Sequence, residues 1–272
     1  MKNSEWQLGQ VKPAPGFPTP YSLLATPLLL LLLLAPGLAH ADQRADFLGG
    51  LTRDCPRCDL SDANFKRHDL AGADLTGATL QRVNFHDANL AGANLKDADL
   101  TGANLNKADL RRADLAGADL HDAMLYAANL DGARLTGADL TDALMGTARF
   151  TRSDLTKAIL RNVDLRKARL ADAVLVGADL TTAALDFAVL RSAKLDGALL
   201  GEARLIGAEC NDASLVGADL TDADASGANF RGANFARANL RGTSFRKGDL
   251  YGARLDEAMF HDTTMPDGTT QP

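Results

Sequence analysis

Residues 73–95 read ADLTGATLQRVNFHDANLAGANL, and a large apolar residue returns at every fifth position: Leu75, Leu80, Phe85, Leu90 and Leu95. The pattern runs outward in both directions without insertion or deletion, from Leu60 to Phe260. Of 41 such centres, 38 are Leu or Phe; Met145, Cys210 and Ala225 are the exceptions. Ala stands two residues before the centre in 34 cases, and Asp or Asn lies between them in 23. The phrase is therefore A-[D/N]-L-x-x. On a helix, a period of five would set successive Leu residues about 140° apart, winding them around its surface. On an extended strand they would alternate faces. A coil that turns a corner every five residues keeps every Leu inward. Four such segments close a turn of twenty residues, and stacked turns pair at roughly the 4.8 Å sheet spacing.

The other positions fit the same geometry. Each layer must hold four Leu and four further inward residues, so the second kind is small, and Ala is used. Gly recurs two residues after the centre (Gly72, Gly77, Gly92, Gly102, Gly117), where a corner asks for positive φ. Asp or Asn beside a turn can hydrogen-bond local backbone. On these residues the chain resembles the pentapeptide-repeat family over 58–262. The resemblance implies an all-β solenoid, a right-handed quadrilateral β-helix of roughly ten 20-residue coils and roughly 50 Å long. Members of that family differ in function, so the fold transfers and the activity does not.

The flanks divide the chain further. Residues 1–41 carry Lys2 and Lys12, a Pro-rich stretch, seven consecutive Leu (Leu28–Leu34) and Ala39-His40-Ala41. Basic start, short apolar run and A-x-A end make a secretory signal peptide cleaved after Ala41. A retained N-terminal anchor is the alternative. The run is shorter than the roughly 20 residues of a membrane span, so cleavage would leave no span. No Cys follows the small-residue site, so a lipoprotein lacks its residue. Residues 42–57 are the candidate cap for the first coil, with Phe47, Leu48 and Leu51 at helical spacing, though Gly49-Gly50 weakens any helix there. Residues 263–272 read as a polar C-terminal tail in which Thr263-Thr264-Met265 could continue one more corner. The tail has no helix of the kind that dimerises some pentapeptide-repeat proteins, so a monomer is expected. The predicted localisation is periplasmic or secreted.

Removing residues 1–41 takes away Lys2, Lys12 and Glu5, which moves the net charge from −6 to −7. An acidic chain of this kind lacks the basic footprint of nucleic-acid binding. In an exported chain, Cys55-Pro56-Arg57-Cys58 reads as a disulfide across the cap–solenoid junction. Zinc would need ligands beyond Cys55, Cys58 and His68, and no cofactor or metal is assigned. Cys210 reads as a buried, inert thiol. No nucleophile elbow, phosphate loop or H-E-x-x-H is present. A solenoid without long loops has flat faces rather than the concave pocket an enzyme needs, so the chain is read as non-enzymatic.

A period of twenty sorts the outward positions into four faces. The face of Leu60, Leu80 and Leu100 carries twelve acids against three bases. Its candidate site residues are Asp99, Asp119, Asp122, Asp139, Asp142, Asp179, Asp219 and Asp222. Two readings stay open there: a functional acidic face, or carboxylates that solvate the rod. The next face, of Phe65 and Phe85, has four acids against eight bases and a candidate contact patch of Met124, Tyr126 and Leu144, with Phe187 and Ile206 further along. The face of Leu70 gathers Arg111, Arg112, Arg149, Arg152, Arg169 and Arg191. These could receive an acidic partner or pair with their own neighbours. The functional expectation is an exported scaffold binding an unidentified protein partner. The alternative, implied by the resemblance, is a DNA-mimicking topoisomerase binder, and the signal peptide disfavours it.

Overall fold

The computed structural model describes residues 43–272; the signal peptide expected at 1–41 lies outside them. Each five-residue side closes on a tight turn. The amide three residues after a centre donates to that centre's carbonyl, as from Ala63 to Leu60 and from Ala78 to Leu75, both at 3.1 Å. The third residue of the turn has positive φ at every corner from Arg57 to Asp262, between 53° and 71°. Type II turns demand this, and Gly meets it without strain. The requirement is not confined to the glycines, however. Arg, Lys and Asp fill many corners, and even Phe187 (φ 57°) and the β-branched Thr147 (φ 61°) are held in the left-handed region.

The turn uses most of each side. One residue, the position just before the centre, is left to pair between coils. It bridges in parallel to the residue twenty later: Asp59 to Thr79, Asn64 to Asn84, Asp69 to Asn89 and Asp74 to Asn94. Four bridges in twenty residues define a four-sided coil. The centre's own amide donates forward, as from Leu60 to the carbonyl of Thr79 at 2.8 Å. The four sides are thus ladders of single bridges rather than extended strands.

Large and small inward residues alternate as the sequence predicts. Ala138 and Leu140 are both 0% exposed, and the core is continuous through the repeat. Where a polar residue replaces the inward Ala, its hydroxyl is satisfied by a carbonyl. Ser153 donates to Phe150, Thr243 to Leu220 and Thr263 to Leu240, each at 2.7 Å. That removes the penalty of an unpaired buried hydroxyl.

The two ends of the coil have structure of their own. A helical turn at 43–48 lays Phe47 edge-on against Phe65 at 5.4 Å, and Phe65 stacks on Phe85 at 5.5 Å. Phe47 is buried while Leu51 is 81% exposed, so the cap uses one of the three apolar residues in full. Gly49 and Gly50 end the helix before Leu51 can join it. Coil geometry then begins at Cys55, three residues before position 58. Cys55 is buried, donates to Asp74 at 2.8 Å and accepts from Cys58 at 3.2 Å, as any centre does. At the other end the tail folds back. Strand β1 (Thr263–Thr264) pairs antiparallel with β2 (Thr270–Gln271), while Thr264 also continues the parallel ladder from Ser244. No helix among the described residues is long and apolar enough to cross a membrane.

Two substitutions test this geometry. Thr147→Gly should raise stability by about 0.5–1 kcal/mol, because relief of left-handed strain exceeds the added chain entropy. Leu140→Asp should cost several kcal/mol, since it places an unpaired charge in a dry layer. Chemical denaturation of both variants checks the pair; a destabilised Thr147→Gly would contradict the corner conformation.

Candidate interaction faces

An Asp or Asn before a centre has a structural task. It accepts the amide two residues on, at the turn. On the acidic face Thr101 donates to Asp99 at 3.1 Å, His121 to Asp119 at 3.0 Å and Thr141 to Asp139 at 2.9 Å. Thr181 donates to Asp179 at 3.1 Å and Thr221 to Asp219 at 3.0 Å. The four Thr hydroxyls add bonds of 2.5–2.7 Å to the same oxygens. Asp99, Asp119 and Asp139 do form a ladder on adjacent coils, as the register requires. Burial acts to raise the pKa of Asp179. The Thr181 hydroxyl and amide and the Arg161 guanidinium outweigh it and hold the carboxyl below the usual range. Asp99 is likewise lowered: burial opposes, and the Thr101 hydroxyl, the Gln81 amide and the Thr101 N–H prevail.

Asp122, Asp142 and Asp222 are of a second kind. They occupy corners with φ of 57–60° and make no turn-capping bond of this sort. His121 Nε2 lies 3.4 Å from Asp122, and the donor atoms of His121, Asp122 and Asp142 fall within 4.8 Å of one another. The trio sits on the surface of the rod.

The second face carries a cleft of about 470 Å³ that includes the whole sequence-predicted patch. Met124 bridges Leu144 between adjacent coils. Tyr126 and Leu144 are 54% and 52% exposed. Gly146 opens the space beside the Tyr126 ring, and Arg166 and Lys167 close its far end. Arg166 is bound to Asp164 through bonds of 2.8 and 2.6 Å. Phe187 lies apart from this cleft, with its ring over the next corner: a Cβ at Gly207 would come within 2.7 Å of it. One further residue gave no sequence signal. Asp186 is buried, Arg204 approaches its Oδ2 at 3.2 Å, and its Oδ1 has no partner among the described residues.

On the third face the arginines are partly neutralised in place. Arg111 pairs with Asp109, Arg149 with Asp131 and Arg191 with Glu209. Arg112, Arg152 and Arg169 make no ion pair among the described residues. Cys55 and Cys58 are joined as a disulfide. The link spans the first corner rather than tying the cap to the coil. His68 is exposed beside Phe65 and does not join the two cysteines. Cys210 is buried, and burial, with Glu209 adding to it, pushes its thiol well above the ordinary value.

A four-sided parallel solenoid with flat, chemically distinct faces is the class of molecule this geometry defines. The family model of pentapeptide repeats matches in eight copies across 58–97, 93–132, 103–142, 148–185, 183–222 and 223–262; the chain belongs to the pentapeptide-repeat family. Among solved structures it is similar to HetL, a pentapeptide repeat protein involved in heterocyst differentiation regulation from the cyanobacterium Nostoc sp. strain PCC 7120. Identity is 34% over 84% of this chain and 98% of that one, with a TM-score of 0.42. A pentapeptide repeat protein of the Arabidopsis thaliana thylakoid lumen is 37% identical over 43% of this chain and 72% of its own, at a TM-score of 0.29. Full-length QnrB1, a plasmid-mediated fluoroquinolone resistance protein, is 19% identical over 76% and 92%, at 0.44. No curated protein matches the chain.

The lowered pKa of Asp179 fixes the sign of a pH effect. Its stabilisation is present above the unfolded carboxylate value of about 3.9 and is lost as pH falls through the lower folded value. Thermal melts from neutral to strongly acid pH should therefore show a shallower acid loss in Asp179→Asn than in the wild type. Equal slopes would mean that the carboxylate contributes nothing to folding.

Proposed function

We propose that this protein is a non-enzymatic, exported rod, a right-handed β-helix of roughly ten coils that serves as a protein-interaction scaffold of the periplasm or envelope. The observation that carries the reading is the cleft of Met124, Tyr126 and Leu144. Contiguous exposed apolar groups on an otherwise polar surface mark contact sites. Here two of them occupy positions where the repeat prefers Asp or Asn. The Ala39-His40-Ala41 ending of the leader-like segment supports export. A second reading, a DNA-mimicking topoisomerase binder, draws on the acidic face. It is weakened by that same segment, and by the use of Asp99, Asp139, Asp179 and Asp219 as turn acceptors.

Two measurements test the proposal. Fractionation of cells carrying a C-terminally tagged chain should recover protein beginning at Asp42 outside the cytoplasm. Intact Met1 in the soluble cytoplasm would sink export and favour the second reading. The triple variant Met124→Asn, Tyr126→Thr, Leu144→Asp installs residues the repeat itself uses at equivalent positions. Its melting temperature should hold or rise, while envelope cross-links from a photoreactive residue at position 147 disappear. Cross-links that survive unchanged would remove the cleft as the docking site.

A further inference from the structure

We propose that the third face holds an oxyanion site, a cleft in which Arg112 and Arg152 take a phosphate-ester or pyrophosphate group. The cleft has a volume of about 800 Å³ and lies on a different face from the apolar patch, so it does not rest on the docking reading above. It exists because side chains are missing from its floor. Ala91, Gly92 and Gly132 contribute almost nothing, while Arg111, Arg112 and Arg152 stand on the coils between and beyond them. A Cβ at Gly92 would meet no atom within 4 Å.

The charges around the cleft are divided by their partners. Arg111 is committed to Asp109, with Nε at 2.8 Å and Nη2 at 2.6 Å from its carboxylate. Asp131 is engaged as well. Its Oδ2 takes Nε and Nη2 of Arg149 at 3.1 and 2.5 Å, and its Oδ1 takes the amide of Thr151 at 2.9 Å. It makes no ion pair with Arg112 or Arg152, which line the same cleft and make none among the described residues. Asp172 stands at the corner after Arg152 and does not pair with it either. Arg149 and Arg169 bridge directly across adjacent coils beside the cleft, and the Asp131 carboxylate screens Arg149 there.

Arg112 and Arg152 both border this space, Arg112 leaning into it and Arg152 standing at its far edge. Corner side chains lean toward the following coil, and the Cγ of Arg112 comes within 3.7 Å of a Cβ built on Gly132. Arg112 thus reaches across the bare corner toward Arg152, two coils or about 10 Å further along the rod. Planar guanidinium groups bind phosphate oxygens in bidentate fashion. Two of them about 10 Å apart at the backbone suit a group with oxygens on more than one side. Free pyrophosphate and a phospholipid headgroup share that chemistry.

The test is calorimetric titration of the purified full chain with sodium pyrophosphate at low ionic strength. Saturable one-site binding is expected. Arg112→Asn and Arg152→Asn, which leave Asn at a left-handed corner it tolerates, should each weaken binding at least tenfold with the melting temperature retained. Ala91→Glu, which puts a carboxylate on the cleft floor, should abolish it. Arg237→Asn is the control: it removes the same charge from an unpaired corner (φ 61°) on another face and should leave binding intact. Co-sedimentation with phosphatidylglycerol vesicles that depends on Arg112 and Arg152 would support the site with a lipid as its source; pyrophosphate binding alone would support a free anion. Equal weakening by Arg237→Asn, absence of saturation, or hexa-aspartate binding as tightly as pyrophosphate would overturn the proposal, the last in favour of an acidic peptide.

Discussion

The structure depends on one backbone demand, repeated without exception: every fifth residue within the coils must adopt a left-handed conformation. That single choice turns the chain, sets the length of each side and decides which positions face inward. The cost is real, because L-residues lose about 1–2 kcal/mol there. It is spread over dozens of corners and met by a core in which each coil buries the next. A solenoid tolerates strain of this kind because its stability is summed along neighbours rather than held at one centre. It also explains why Phe187 can occupy a corner at all. The missing side chain of Gly207 leaves the surface on which its ring lies.

The second constraint follows from the first. Each turn presents an amide just after the centre, and the Asp or Asn before the centre accepts it. The most conspicuous feature of the sequence after Leu, its run of Asp and Asn, is therefore largely the hydrogen-bond complement of the corners. An acidic face arises wherever the chosen residue is Asp rather than Asn. Asp99, Asp139, Asp179 and Asp219 are each engaged by the amide and hydroxyl of the following Thr. Asp122, Asp142 and Asp222 carry the part of that charge that folding does not require.

Much of this was legible in the residues. The period of five, the alternation of Leu and Ala, and the sorting of outward positions by twenty are all read from composition at fixed offsets, because an uninterrupted solenoid converts sequence spacing into space. What was not legible involves side-chain reach or chain ends. Gly49 and Gly50 already weaken a helix through Leu48 and Leu51 in the sequence, but the ring stack with Phe65 and Phe85, which caps the coil through Phe47, depends on side-chain placement. The fold-back of residues 263–272 into a hairpin has no periodic signature. Gly marks some corners, yet nothing in Arg, Lys or Thr announces positive φ. Met124, Tyr126 and Leu144 could be placed on one face, whereas the cleft also needed the gap at Gly146 and the positions of Arg166 and Lys167. The arginines could be counted, but which of them Asp109 and Asp131 absorb depends on rotamers.

Three of the departures from the repeat are compensated, and at those positions the outward surface can change without cost to the corner. Where Met124 replaces the turn acceptor, the amide of Tyr126 is taken at 2.8 Å by Asn106, from the same column one coil earlier. Where Arg149 replaces it, Asp131 takes the amide of Thr151 at 2.9 Å. Where Ser214 stands, Asp196 takes the amide of Val216 at 3.1 Å. In each case an acceptor one coil back does the work of the missing Asp or Asn, and the position before the centre is released from folding. Met124 and Arg149 are two of the residues so released, one in the apolar cleft and one beside the arginine cleft. The rod thus gains surface chemistry without loosening a corner, which is how a fold with no long loops can carry different sites on different faces.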